Sequence, residues 1–199
     1  MPSLVAHNLL DRGVWVVSIL IWRVMEAIVD FRTRKRLRAG VRPHDKGSRI
    51  ALVCLITFGA VVGVLLPVKA PTTDVNSGRD ILFWLGILLM YVGMAFRFYA
   101  IAVLGAFFTT TVATAPGQTV IESGPYRRIR HPAYTGLLIT LLGFGLTLTN
   151  WLSLLVVMVC AFIGFGYRIW VEEQVLQAQL GQPYRAYMRR TKRLIPFVL

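Results

Sequence analysis

Residues 50–68 read IALVCLITFGAVVGVLLPV, and this stretch contains no charged side chain. As an α-helix rising about 1.5 Å per residue, it is long enough to cross the ~30 Å hydrocarbon core of a bilayer. Two further long apolar stretches follow: residues 81–104, charged only at Arg97, and residues 133–167, which have no ionised side chain. The sequence therefore predicts an all-α integral membrane protein.

Basic residues lie at the ends of these apolar stretches and account for the net charge of +13. Residues 32–49 and 127–130 are rich in Arg and Lys, whereas residues 69–80 are balanced in charge. Because cytoplasmic loops carry the excess of positive charge, this alternation predicts about five transmembrane helices, an outside N-terminus and a cytoplasmic, helical C-terminal tail. We expect a bacterial inner membrane, anionic lipids at the basic loops, and no nucleic-acid partner, since no soluble binding module is visible.

The chain is predicted to be a single membrane domain over residues 1–199. Residues 1–104 supply three helices, and residues 105–199 supply a polar loop, a helical hairpin that turns at Asn150, and the tail. Within the first helix, Arg23, Glu26 and Asp30 share one face, which is expected to turn inward because charge facing lipid is costly. A helix lying in the membrane interface is the alternative.

The densest group of functional side chains is GPYRRIRHPAYTG, residues 124–136. Pro132 suits the first turn of a helix, and the free N–H groups of that turn, with Arg130 and His131, are expected to hold an anionic or polar group.

A second group is RIWVEE, residues 168–173, in which Glu172 and Glu173 suit a cation. On spacing alone, a solvated ion pair with Arg168 is the stronger interpretation. Taken alone, the tyrosines of GQPYRAY, residues 181–187, are better explained as an aromatic belt at the lipid head groups. Arg97, within an apolar helix, marks a functional site or extends to the head groups. No metal site is predicted.

Taken together, these motifs resemble the isoprenylcysteine carboxyl methyltransferase family and its relatives, the phospholipid methyltransferases. The resemblance runs from about Gly93 to Pro196. It rests on Gly-Pro-Tyr and Arg-His-Pro-x-Tyr-x-Gly, then Arg-Ile-x-x-Glu-Glu, Gly-x-x-Tyr-x-x-Tyr and a terminal Leu-Ile-Pro. It implies a membrane methyltransferase that uses S-adenosylmethionine at its cytoplasmic side without a soluble nucleotide-binding domain.

The resemblance also implies roles for individual residues. The glutamates would bind the ammonium group, Arg130 or His131 the carboxylate or the adenine edge, and the tyrosines the adenine or the sulfonium. The implied cofactor residues are Tyr126, Arg130, His131, Tyr134, Gly136, Glu172, Glu173 and Tyr184. The implied catalytic residues are Arg97, Arg168 and Glu172, with the two arginines positioning the acceptor.

The expected reaction is methyl transfer to a lipophilic acceptor, first the carboxylate of an isoprenylcysteine-type or prenylated substrate. A phospholipid amine or another small lipophilic acceptor is the alternative within the same chemistry. A non-catalytic membrane protein that binds anionic lipid through its basic loop is the alternative from a different class, and a nicotinamide-dependent reductase is a weaker one. The combination of Arg-His-Pro with Glu-Glu favours the enzyme, because lipid binding does not require it.

Overall fold

The computed structural model describes residues 9–37, 42–43, 45–110, 113–114 and 119–195. Residues 38–41 and 44 of the basic loop, and Pro196 of the Leu-Ile-Pro motif, lie outside this part of the chain. The helices within it are α1 (Leu9–Leu37), α2 (Ser48–Lys69), α3 (Arg79–Leu104), α4 (Pro132–Thr147), α5 (Trp151–Leu180) and α6 (Gln182–Arg190). One two-residue antiparallel pair, β1 (Arg42–Pro43) with β2 (Ala113–Thr114), joins the segments that precede α2 and α4.

The all-α membrane architecture is confirmed. Three of the described helices are long and apolar enough to cross a membrane: α2, α3 with the short turn after it, and α5. Helix α4 is apolar but has 16 residues, which at about 1.5 Å per residue is shorter than the ~30 Å hydrocarbon core. Helix α1 carries charged residues, so the count of five spans stays a prediction.

The boundaries of the later helices follow the signals in the sequence. Helix α4 begins at Pro132, and Asn150 caps α5 by accepting a 2.9 Å hydrogen bond from the Ser153 N–H. Gly181 ends α5 with a φ of 59°, a conformation that glycine adopts without strain. Helix α5 nevertheless runs to Leu180, so Glu172 and Glu173 lie well inside it and not at the start of a separate tail.

Glycines bring α3 and α4 into close contact. A Cβ atom built on Gly136 would lie 2.7 Å from the Arg97 backbone nitrogen, and one on Gly143 would lie 2.5 Å from the Gly86 oxygen. Small residues at such positions let membrane helices pack backbone to backbone. This contact fixes Arg97 against the first turns of α4.

The polar face of α1 turns inward at two of its three predicted residues. Glu26 pairs with Arg97 of α3 at 2.7 Å, and Asp30 pairs with Arg49 of α2 at 2.6 Å. Arg23 is exposed, so its predicted inward orientation is wrong. On a helix of 3.6 residues per turn, residue 23 lies only about 20° around the axis from residue 30, so its position on the face does not separate the two; Asp30 has the Arg49 guanidinium of α2 beside it.

Candidate functional site

A cleft opens where α5 and α6 meet the connector between α3 and α4. Its empty volume is about 810 Å³, including open solvent at its mouth. Part of its lining is apolar and includes Leu104, Phe107, Phe108, Leu176 and Leu180. Another part of the lining is polar and aromatic. It brings together six of the residues predicted for the cofactor: Tyr126, Arg130, His131, Tyr134, Glu172 and Tyr184.

Two of the cleft tyrosines are buried outside the membrane-spanning helices. Tyr126 lies in a short turn before α4, Tyr184 lies in α6, and both are about 95% buried. Burial, and next the charge of Glu172, raises the pKa of both hydroxyls far above the usual value. The two rings are therefore neutral at physiological pH and present π faces and O–H donors to the cleft.

Glu173 is enclosed by the cations of the protein itself. It is buried, and its carboxylate accepts hydrogen bonds from Arg130 Nε at 2.9 Å and Arg193 Nε at 3.1 Å, with Arg193 Nη2 at 3.0 Å and His131 Nε2 at 3.4 Å. It does not line the cleft. Glu173 thus holds Arg130 and His131 in place and ties them to the C-terminal segment.

Glu172 has the opposite surroundings. It is the single carboxylate among the described residues that line the cleft. Its Oε2 accepts a 2.6 Å hydrogen bond from the Tyr134 hydroxyl, which is neutral. No described ion pair joins Glu172 to an arginine or lysine. Its negative charge is therefore available to a cation that enters the cleft.

Arg168 lies behind the cleft and reaches it through Tyr134. Its side chain is 2% exposed, and its Nε donates to the Tyr134 hydroxyl at 3.1 Å. The remaining nitrogens donate to Asp45, to Ser48 Oγ at 2.8 Å and to the Thr110 carbonyl at 2.9 Å. Arg168 does not line the cleft, so any influence on a bound molecule passes through its partners.

Arg97 is also occupied and away from the cleft lining. Its Nε and Nη2 form a two-pronged pair with Glu26 at 2.7 and 2.8 Å, and its Nη1 donates to the Ala133 carbonyl at 3.1 Å. Gly136 packs against its backbone and does not line the cleft either. Arg97 and Gly136 thus hold α4 against α3 and do not themselves line the cleft.

The C-terminal segment pairs with the backbone that leads into α4. Arg130 N–H donates to the Lys192 carbonyl at 2.7 Å, and His131 N–H donates to the Arg193 carbonyl at 3.0 Å. These two backbone donors are therefore occupied by the protein itself, and an anion would have to meet the side chains of Arg130 and His131 or the N–H groups of the first turn of α4. The sequence could not reveal it, because the pairing joins segments about 60 residues apart.

Comparison with known proteins shows which sequence family the chain resembles. Residues 84–178 match the sequence profile of the isoprenylcysteine carboxyl methyltransferase (ICMT) family. The resemblance to the ICMT family is confirmed.

Curated relatives of the chain carry the corresponding names. A probable protein-S-isoprenylcysteine O-methyltransferase of Oryza sativa subsp. indica is 29% identical over 58% of this chain and 61% of its own length. Protein-S-isoprenylcysteine O-methyltransferase B of Arabidopsis thaliana is 30% identical over 57% and 58%, respectively. YpbQ, an uncharacterised protein of Bacillus subtilis, is 25% identical over 64% of this chain and 71% of its own. The chain thus spans less than two thirds of the length of the two plant relatives.

A solved structure shares the fold. The eukaryotic intramembrane Ras methyltransferase ICMT superposes with a TM-score of 0.59 at 24% identity, over 73% of this chain and 52% of that one. Residues 84–178, which match the ICMT profile, begin in α3 and end within α5. They include Arg97, the 124–136 motif and both glutamates. Tyr184, Glu26 and Asp45 lie outside them.

Several residues of the site carried no separate signal in the sequence. Tyr187 lines the cleft beside Tyr184, and its hydroxyl donates to the Tyr126 carbonyl at 2.7 Å. In the sequence it is indicated only as the second tyrosine of Gly-x-x-Tyr-x-x-Tyr. Glu26 and Asp45 pair with the buried arginines from distant segments. The apolar part of the lining, from Leu104 to Leu180, resembles any other membrane-helix surface in sequence.

Proposed function

We propose that this chain is an S-adenosylmethionine-dependent membrane methyltransferase that acts on a lipophilic acceptor. The first acceptor class is an isoprenylcysteine-type carboxylate, as on a prenylated protein. The observation that carries this proposal is the cleft, where the carboxylate of Glu172, free of any described ion pair, faces aromatic rings and the Arg130–His131 pair. The relatives named as isoprenylcysteine O-methyltransferases support the same chemistry.

The cleft residues fit the three recognition features of this cofactor. Glu172 would bind the ammonium group, and Arg130 and His131 would hold the carboxylate. Tyr126, Tyr134 and Tyr184 supply neutral π faces for the adenine and the sulfonium. When bound, the cofactor supplies an activated methyl group, so the protein mainly has to orient the reactants and exclude water. Glu173 and Gly136, proposed as cofactor residues, would act by holding Arg130, His131 and α4 in position.

The apolar part of the lining supports a lipophilic acceptor. Leu104, Phe107, Phe108, Leu176 and Leu180 line the cleft, and together they offer an acyl or isoprenoid chain an apolar surface. A carboxylate acceptor needs no general base, whereas an amine has to lose a proton first. Arg97 and Arg168 stay proposed as acceptor-side residues. Since both guanidinium groups are occupied, we infer that they act by positioning Ala133 and Tyr134.

Cofactor binding is the primary test. Calorimetry with S-adenosylmethionine on the purified protein should detect binding, and Glu172→Gln should lower the affinity about tenfold or more, the equivalent of about 1.4 kcal/mol. Glu122→Gln is the matched control, because Glu122 is exposed and pairs with Arg190 at 2.7 Å away from the cleft lining. Absence of binding by the folded wild-type protein, or equal affinity in the two variants, would rule out this site.

Methyl transfer then identifies the acceptor. The protein in lipid nanodiscs would receive isoprenylated cysteine with a free carboxylate, the same compound as its methyl ester, or a phospholipid with a primary amine. Methylation of the free carboxylate alone is the expected result. Methylation of the amine instead would replace the proposed acceptor class and keep the cofactor site.

The proposed topology has its own test. We propose a multi-pass protein of the bacterial inner membrane with its N-terminus outside, its C-terminus in the cytoplasm and anionic lipid at the basic loops. Lys46→Cys and Ser77→Cys lie at exposed positions on either side of α2. An impermeant thiol reagent applied outside intact cells should label only the second, with the parent chain as control for Cys54 and Cys160. Labelling of both would contradict the topology.

A further inference from the structure

In the described chain, three arginines have buried side chains, and each of them pairs with a carboxylate. Arg97 pairs with Glu26, Arg130 pairs with Glu173, and Arg168 pairs with Asp45. Pairing is expected, because an isolated charge inside a protein costs several kcal/mol. Like Glu26, Asp45 lies outside residues 84–178; it differs from Glu26 because the arginine that it reaches donates to Tyr134, which lines the cleft.

A continuous hydrogen-bonded chain runs from Asp45 to the cleft through Arg168, Tyr134 and Glu172. We call it the Asp45–Glu172 chain. Arg168 Nη1 donates to Asp45, Arg168 Nε donates to the Tyr134 hydroxyl at 3.1 Å, and that hydroxyl donates to Glu172 Oε2 at 2.6 Å. A guanidinium has donors only, so Tyr134 must accept from Arg168. The tyrosine proton is thereby directed to Glu172, which fixes one oxygen of the cleft carboxylate.

We propose that Asp45 is a positioning residue for the cleft carboxylate: it neutralises and orients Arg168, and so leaves Glu172 free to bind a cation. Without Asp45, the uncompensated Arg168 charge would be offset by the next carboxylate along the chain, which is Glu172. A ligand ammonium would then compete with an internal cation for Glu172. The inference rests on the proposed function, because the cation it concerns is that of S-adenosylmethionine.

Asp45 also anchors the start of α2, which is the competing explanation of its position. Its side chain accepts from the Arg49 N–H and from Ser48 Oγ, both at 3.0 Å. Asp45→Asn removes the charge and keeps one amide oxygen, which can still accept from the Arg49 N–H, so it weakens the pair with Arg168 more than it weakens the anchor. Asp45→Glu keeps the charge and serves as the conservative variant.

The test is a double-mutant cycle on S-adenosylmethionine affinity, measured by calorimetry on the full chain in detergent. Asp45→Asn should weaken binding by about fivefold to tenfold in the wild-type background and by less than twofold when Glu172→Gln is already present. Asp45→Glu should restore part of the affinity. Asp74→Asn is the matched control: Asp74 is a partly buried carboxylate that accepts from Asn150 at the other end of α2, and this variant should leave affinity unchanged.

The outcomes distinguish the two proposals. If Glu172→Gln leaves affinity unchanged, the proposed cofactor site fails and this inference fails with it. If Glu172→Gln weakens binding but Asp45→Asn does not, or if Asp45→Asn weakens it equally in both backgrounds, only the role of Asp45 is wrong. Should Asp45→Asn fail to fold, Tyr134→Phe interrupts the same chain while keeping the ring. An unchanged affinity in that variant would then overturn the inference.

Discussion

Glu173 and Glu172 are adjacent on α5 but lie in opposite surroundings: the first is buried, and the second is partly exposed at the cleft. On one side, Glu173 is surrounded by Arg130, His131 and Arg193, which come from the α4 entrance and the C-terminal segment. On the other side, Glu172 faces the cleft and its described hydrogen bond is to the neutral hydroxyl of Tyr134. A carboxylate saturated by cations holds segments together, whereas one bonded to a neutral group keeps its charge for a ligand.

The largest expected effect is on stability, from removing the enclosed carboxylate. Glu173→Ala leaves the buried Arg130 guanidinium without its counter-ion and His131 Nε2 without its partner, so the free energy of unfolding should fall by about 3 kcal/mol. Denaturant unfolding in detergent measures this change, with Glu122→Gln as the exposed control. A variant as stable as the wild type would contradict the structural role of this side of α5.

A somewhat smaller loss of stability is expected from a substitution at Gly136, where α3 packs against the first turns of α4. In Gly136→Ala, the new Cβ would approach the Arg97 nitrogen to 2.7 Å, so α3 and α4 would have to separate, at a cost of about 2 kcal/mol. Gly166→Ala is the matched control, because no atom lies within 4 Å of a Cβ there. Thermal unfolding of both variants compares them. Equal stability would show that Gly136 is not required for packing.

The contrast between Glu173 and Glu172 predicts only a small loss of stability when Glu172 is replaced. Glu172→Gln keeps an acceptor for the Tyr134 hydroxyl and removes no ion pair of the described chain, so the free energy of unfolding should change by less than about 1 kcal/mol. The same unfolding experiment, run beside Glu173→Ala, measures the difference. If the two variants were destabilised equally, the division between a structural and a binding carboxylate would be wrong.

The smallest effect is expected at the exposed member of the enclosed cluster. The side chain of Arg193 is 53% exposed, whereas that of Arg130 is 8% exposed, and both pair with Glu173. Solvent-exposed ion pairs contribute roughly 0–1 kcal/mol, so Arg193→Ala should alter unfolding by about 0.5 kcal/mol. A loss close to that of Glu173→Ala would indicate that the C-terminal segment, and not Arg130, carries the stability of the cluster.

The sequence by itself determined the helical membrane fold and the main components of the site. Apolar runs without charge report membrane helices directly, because a bilayer excludes unpaired polar groups. Local signals at Pro132, Asn150 and Gly181 placed the ends of helices, since capping and turn formation depend on neighbouring residues. The resemblance in the motifs brought together Tyr126, Arg130, His131, Tyr134, Glu172 and Tyr184, which the structure places around one cleft.

Only the tertiary structure decided which of two adjacent glutamates faces the cleft. Consecutive residues on a helix point about 100° apart, and sequence spacing does not say which direction meets a cavity. The partners of the buried arginines were likewise decided by packing, because Glu26 and Asp45 are 71 and 123 residues from Arg97 and Arg168. Pairings over such distances depend on how the helices are arranged, and a single sequence contains no local record of that arrangement.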